Sequence, residues 1–235
     1  NNLGTIKSSN LCVTPETLIL TDLGQFPICS LWAGNYPDSV KHTHKYTNVW
    51  NGSSFSKVEV QKTNTDYTEF VEVETSDGVF LTCTPYHKFY VVHTRDNGTT
   101  EIQTMEAQYL TPNMVLEPCF FPVIDSSSCE VLSQTEVAYN LGCNSGINNV
   151  KLKNGEIGNV FVPINYSLKT KLEWLAGFIE PYIYDKDFII ENVIRIPSQS
   201  LTLLQDIKHM LQTCGVNVTI HKSSYMYEMV IVDIQ

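Results

Sequence analysis

Cys12 and the run Thr84-Pro-Tyr-His87 are the residues whose types and spacing could carry covalent chemistry in this chain. A thiol is a strong side-chain nucleophile near neutral pH, and an imidazole is the side chain best matched to moving a proton there. A backbone amide is a poor acyl donor. A protein that rearranges its own chain therefore needs a sulfur beside the scissile carbonyl and a proton donor for the departing nitrogen. Cys12 adjoins the Leu11 carbonyl and can attack it, moving the acyl group from nitrogen to sulfur. Taken singly, a cysteine at a strand start reads more readily as packing, and a histidine in a β ribbon as structure. Cys83, beside Thr84, reads as a small buried hydrophobe. His42 and His44 with Cys29 lack a further well-spaced ligand pair, so no metal site is expected. Trp32 and Trp50 read as core aromatics.

The elements that must position these residues are legible in the patterning. From Cys12 to about Ile124, short runs rich in Val, Ile, Thr, Phe and Tyr alternate with turn signals at Asp22-Leu-Gly24, Asn51-Gly52, Asp77-Gly78 and Asn97-Gly98. This is an all-β half of paired ribbons, with Asp77-Gly78 turning the chain into the strand that ends at Thr84. Residues 125–167 are rich in Ser, Asn and Gly and read as a connector with some strand character. Helical spacing then begins at Leu168, Leu172, Leu175, Ala176 and Ile179, with Pro181 expected to end the run. A second helix follows Pro197-Ser-Gln-Ser200, through Leu201, Leu204, Ile207 and Leu211, with Gly215 as its stop. Strands are expected at 188–196, 216–221 and 227–234, which makes this half α+β.

Composition narrows the function classes. The 235 residues are 43% hydrophobic and 17% charged, a globular balance, and the formal charge of −10 is the opposite of what a general nucleic-acid binder needs. No stretch approaches the roughly 20 apolar residues of a membrane span, and the N-terminus lacks the basic-then-apolar signal pattern, so the reading is soluble and intracellular. Seven cysteines, widely spread and without a CxxC, argue against both a disulfide framework and a zinc ribbon.

Cys12-Val-Thr-Pro-Glu-Thr-Leu-Ile-Leu-Thr21 together with Thr84-Pro-Tyr-His87 resembles the first two splicing blocks of an intein, a member of the Hint (Hedgehog/intein) family. The resemblance extends through Val49–Val58, Leu81–Tyr90 and Ala107–Leu116. It implies a mainly β, horseshoe-like splicing domain over 12–124, with a scissile bond between Leu11 and Cys12. By the family's pattern Cys12 is the nucleophile, His87 hydrogen-bonds and protonates the Cys12 amide nitrogen, and Thr84 helps hold and polarise the same peptide. The implied reaction is autocatalytic and needs no cofactor.

Two further resemblances frame that one. Asn1-Asn-Leu-Gly-Thr-Ile-Lys-Ser-Ser-Asn-Leu11 is similar to the segment before the radical cysteine of the class I ribonucleotide reductase large subunit. Asn10 would then match the substrate-binding asparagine of that host, and residues 1–11 would be extein. Leu175-Ala-Gly-Phe-Ile-Glu-Pro-Tyr-Ile183, with the helix that follows, resembles a LAGLIDADG homing endonuclease over 168–235, a small α+β domain. Glu180 stands at the motif's first acidic position, but Tyr182 occupies the second and Ile183 replaces the final glycine. A phenol is no substitute for a carboxylate as a hard Mg²⁺ ligand, and Asp185 and Asp187 are displaced beyond it. The excess of acidic side chains after residue 170 also disfavours a DNA grip.

These resemblances imply the N-terminal part of an intein set in a ribonucleotide reductase precursor, with a degenerate endonuclease remnant. The expected partners are the intein's own C-terminal segment and the flanking extein, which this sequence does not contain. The rival readings are the host's own reductase activity and a site-specific DNA endonuclease.

Overall fold

A computed structural model of the chain describes residues 12–31, 46–60, 69–125, 135–151, 160–183, 189–190 and 193–232. Among these the architecture is mixed, with short antiparallel strands first and a helix-and-sheet unit after. No helix among the described residues is long and apolar enough to cross a membrane.

The β half consists of three small sheets. Strands β1 (Leu18–Thr21), β2 (Gly24–Pro27), β3 (Tyr46–Trp50) and β4 (Phe55–Glu59) form one, in the order β2-β1-β3-β4. Strands β5 (Val71–Glu74) and β6 (Phe80–Cys83) form a two-stranded ribbon with Val71 opposite Cys83. Strands β7 (Lys88–Thr94), β8 (Thr100–Glu106) and β9 (Val115–Leu116) form the third, in the order β8-β7-β9. Each of the four turn signals connects a hairpin, as expected of Asn-Gly and Asp-Gly pairs. Burial here is thin. Leu20, Cys83, Val91 and Ala107 are buried, whereas Tyr90 and Phe120 are 61% and 66% exposed.

The second half holds the large core. Helix α2 (Leu168–Ile183) and helix α3 (Leu201–Gln212) cover an antiparallel sheet of β10 (Ile189–Ile190), β11 (Val193–Ser198), β12 (Val218–Lys222) and β13 (Tyr227–Val232), ordered β10-β11-β13-β12. Trp174, Phe178 and Tyr182 from α2 meet Ile196 and Met229 from the sheet and Leu204, Ile207 and Leu211 from α3 in one apolar cluster. On β11 the alternation buries Ile194, Ile196 and Ser198 and turns Arg195 outward to pair with Glu228. Helix α3 starts as its sequence asks, with Ser200 Oγ accepting from the Leu203 N–H.

Three expectations need correction. Residues 135–151, inside the stretch read as a connector with strand character, form a helix, α1 (Thr135–Lys151). Pro181 does not end α2 but lies in its last turn, two residues before Ile183. Trp50 is not in the core: it is half-buried, stacks edge-on against Phe55 and donates from Nε1 to the Phe120 carbonyl. Trp32, His42 and His44 lie outside the described residues.

The existence of α1 follows from its partner rather than its composition. A Cβ added at Gly142 would sit 2.0 Å from the Trp174 carbonyl oxygen, and one at Gly177 would sit 2.1 Å from the Tyr139 carbonyl oxygen. The two contacts are reciprocal, each glycine facing the carbonyl three residues before the other. Gly146 likewise faces the Phe178 carbonyl at 2.3 Å. The two helices therefore touch backbone to backbone. That contact area makes a helix of a segment whose Gly, Ser and Asn content opposes one in isolation.

Candidate functional site

Cys12 lies at the end of the β5–β6 ribbon. Val13 bridges to Cys83, and the Thr14 N–H donates to the Thr82 carbonyl at 3.2 Å, so the segment before β1 runs along β6 as a short extra strand. Next to it both backbone polar groups of Cys12 are held by one residue. The Cys12 N–H donates to Thr84 Oγ1 at 3.1 Å, and the Thr84 N–H donates to the Cys12 carbonyl at 2.9 Å. Thr84 is 1% exposed and Cys83 fully buried, while Cys12 itself is half-buried.

The Thr84–His87 segment is a turn with its own logic. Pro85 presets the backbone for the second position, and the His87 N–H closes the turn onto the Thr84 carbonyl at 2.9 Å. A 3-10 turn at Ala107–Tyr109 supports it: the Ala107 N–H donates to the His87 carbonyl at 2.7 Å and the Gln108 N–H to the Pro85 carbonyl at 3.0 Å. Thus Thr84 and His87, three residues apart, are fixed by one turn that is itself held from below.

His87 packs its ring edge-on against Phe89 with centroids 5.4 Å apart. Its Nδ1 is buried and has no hydrogen-bond partner among the described residues. Burial pulls the imidazole below its ordinary value, favouring the neutral ring. A buried donor or acceptor without a partner costs about 1–3 kcal/mol. Leu11 and Asn10 lie outside the described residues.

The second motif region has a different fate. Glu180 is half-buried and accepts from the Cys143 thiol of α1 at 3.3 Å, which ties it to the helix pair. Tyr182 is fully buried; its hydroxyl accepts from Asn149 Nδ2 at 2.7 Å, and burial pushes it up to about 12. Asn149 in turn donates to the Pro197 carbonyl and accepts from Ser198 Oγ, so this is a closed network. Ile183 is exposed, and Asp185 and Asp187 lie outside the described residues. Among the described residues no group of three or more His, Cys, Asp or Glu is placed to hold a metal ion.

Sequence reasoning missed α1 as the partner of the motif helix. The usable signal was Gly142 and Gly146 at four-residue spacing, which can line one helix face as readily as it can make a loop.

No family model matches the chain. It is 35% identical over 220 residues to the ribonucleoside-diphosphate reductase large subunit of Invertebrate iridescent virus 6. The alignment covers 75% of this chain and 22% of that protein. The chain thus spans about a fifth of its relative's length. The similarity also reaches far beyond the eleven residues that resemble a reductase by themselves, because three quarters of the chain take part.

Proposed function

We propose that residues 12–124 are the front of a self-processing insert within a ribonucleoside-diphosphate reductase large subunit. Its first step is an acyl shift from the nitrogen to the sulfur of Cys12. The observation that carries this reading is the clasp of the Cys12 peptide by Thr84, with amide and carbonyl both held by one residue.

In the step, Cys12 Sγ attacks the Leu11 carbonyl carbon as its thiol proton passes to the neutral ring of His87. The Leu11–Cys12 amide bond breaks as the thioester forms, and the departing nitrogen takes up a proton to become the free amine of Cys12. Thr84 Oγ1, accepting from that N–H, fixes the plane of the leaving amide and the orientation of the nitrogen. His87 Nδ1, on the same turn and without a hydrogen-bond partner among the described residues, is the group that takes this proton from sulfur and gives it to the nitrogen. Cys83, buried and pushed up by burial, is a poor competitor for the role of nucleophile.

The setting in a reductase reading frame draws on the relative's name and on the extent of the match. The match takes in three quarters of this chain, which supports the setting in a reductase reading frame. A DNA endonuclease is the weaker reading, because Tyr182 is core and Glu180 is engaged with Cys143.

The test is the intact mass of the purified chain before and after excess dithiothreitol near neutral pH. Loss of residues 1–11, leaving a chain that begins at Cys12, is the expected result. An unchanged mass in a folded sample would remove the acyl shift from this chain's chemistry.

A further inference from the structure

The helix-and-sheet half grips the β half at the two hairpins that flank Cys12. At the β1–β2 hairpin, the Gln25 N–H donates to Asn165 Oδ1 at 2.8 Å and the Gln25 carbonyl accepts from Asn165 Nδ2 at 2.7 Å. The Gln25 side chain also donates to the carbonyl of His209 on α3 at 2.7 Å. At the β5–β6 hairpin the grip is ionic. Lys208 Nζ on α3 donates to the Asp77 carbonyl at 2.6 Å, the Asp77 carboxylate at 2.9 Å and the Val218 carbonyl at 3.0 Å. The Ile220 N–H donates to the same Asp77 carbonyl at 3.0 Å.

Lys208 is 3% exposed, and all three of its ammonium donors are used. An ammonium is expensive to bury, and an apolar side chain would fill the space at lower cost, so what the charge adds is direction. Its direction is toward a weak point of the β half. Among the described residues the β5–β6 ribbon is a sheet of two strands with one short bridge at Val13 beside it, a form that is marginal by itself in water. One end of the ribbon carries Cys83 and Thr84 against Val13 and Cys12; the other end is the turn at Asp77 and Gly78. There a Cβ on Gly78 would meet Ile220 at 2.6 Å, and its φ of +81° suits glycine.

We propose that Lys208 is a positioning residue for the Cys12 centre. Through Asp77 it braces the far end of the β5–β6 ribbon, so that Thr84 at the near end keeps its hold on the Cys12 amide. On this view the degenerate helix-and-sheet half serves the reaction as a scaffold. The kinetic part of the inference rests on the proposed acyl shift; the geometric part does not.

The test compares the full chain with Lys208→Met, Lys208→Arg and Met210→Ala, the last a buried core change on the same helix. Two quantities are read: hydrogen exchange of the Cys12 amide by NMR, and the rate of thiol-induced loss of residues 1–11 against thiol concentration. Lys208→Met is expected to speed Cys12 exchange about tenfold and to lower the rate at saturating thiol about fivefold, leaving the half-saturating thiol concentration unchanged. Lys208→Arg, which can still reach the Asp77 acceptors, is expected to recover most of both. Met210→Ala should leave both near those of the unsubstituted chain despite its lost stability.

Should Lys208→Met fail to fold, Asp77→Asn weakens the same contact at a half-exposed position and is expected to shift exchange about threefold in the same direction. Exchange at Cys12 that is no faster in the Lys208 or Asp77 variants than in Met210→Ala would overturn the brace. If no chain, including the unsubstituted one, loses residues 1–11, the acyl-shift reading fails and the exchange ratios alone decide the brace.

Discussion

The clasp at Cys12 and the helix pair at Gly142 and Gly177 are both sites where motif residues meet, but they treat polar groups in opposite ways. At Cys12, a buried threonine turns its hydroxyl to the backbone N–H and carbonyl of one residue, and the imidazole on the same turn has an Nδ1 without a partner among the described residues. At the helix pair, Glu180 and Tyr182 are both engaged, and the latter is sealed in a network with Asn149 and Ser198. The difference teaches that a motif's fold and its chemistry can part. Close helix packing depends on glycine and is present at Gly142 and Gly177, while a metal site depends on free carboxylates, which buried Tyr182 and engaged Glu180 do not supply.

The sharpest way to break the comparison is to remove the sulfur. Cys12→Ala is expected to abolish thiol-induced loss of residues 1–11 altogether, as read by intact mass; undiminished cleavage would take the nucleophile elsewhere. His87→Ala is expected to slow the same loss by roughly 10² if its spare nitrogen carries the proton. A rate within twofold of the unsubstituted chain would reduce His87 to a packing role against Phe89.

The closed side of the comparison is tested by stability. Gly177→Ala puts a methyl into the Tyr139 carbonyl, which cannot move without its helix, and should cost roughly 3 kcal/mol or more in urea unfolding. A cost below about 1 kcal/mol would mean that the helices separate easily.

Acidification probes the join between the halves. His209 Nδ1 is buried and unpartnered among the described residues; burial, and secondarily the Lys208 charge, lowers its pKa from 6.5 to about 4. The unfolded chain takes up a proton at the higher value and the folded chain only at the lower. The stability this provides is therefore complete above pH 6.5 and is lost as the pH falls through about 4. The loss should reach about 3 kcal/mol near that lower limit, and His209→Gln should flatten this part of the profile.

The smallest effect expected is that of Tyr182→Phe. It removes the hydrogen bond that Asn149 donates to the hydroxyl, while Asn149 Nδ2 keeps the Pro197 carbonyl, and should cost about 1 kcal/mol.

Much of the fold was legible in residue order because its signals are local. Asp77-Gly78 and Asn97-Gly98 turn hairpins since their glycines adopt positive φ, and Ser200 starts α3 since its hydroxyl reaches a free N–H three residues on. The candidate nucleophile and the Thr84–His87 pair stood out through their resemblance to splicing blocks, since their residue types taken singly pointed to packing and structure.

What only the tertiary structure decided are the features that depend on distant neighbours. Helix α1 forms because Gly142 and Gly146 lie on α2, a fact that its own Ser, Asn and Gly content hides. Tyr182 is core because Asn149 on α1 donates to its hydroxyl and is itself held by Ser198 on β11. Thr84 holds the Cys12 amide because Val13 and Cys83 pair across a gap of seventy residues in sequence. Lys208 reaches Asp77 across 131 positions, and no local pattern foretells it. Side-chain type and short spacing set what each residue can do; burial and long-range pairing set which of those capacities is used.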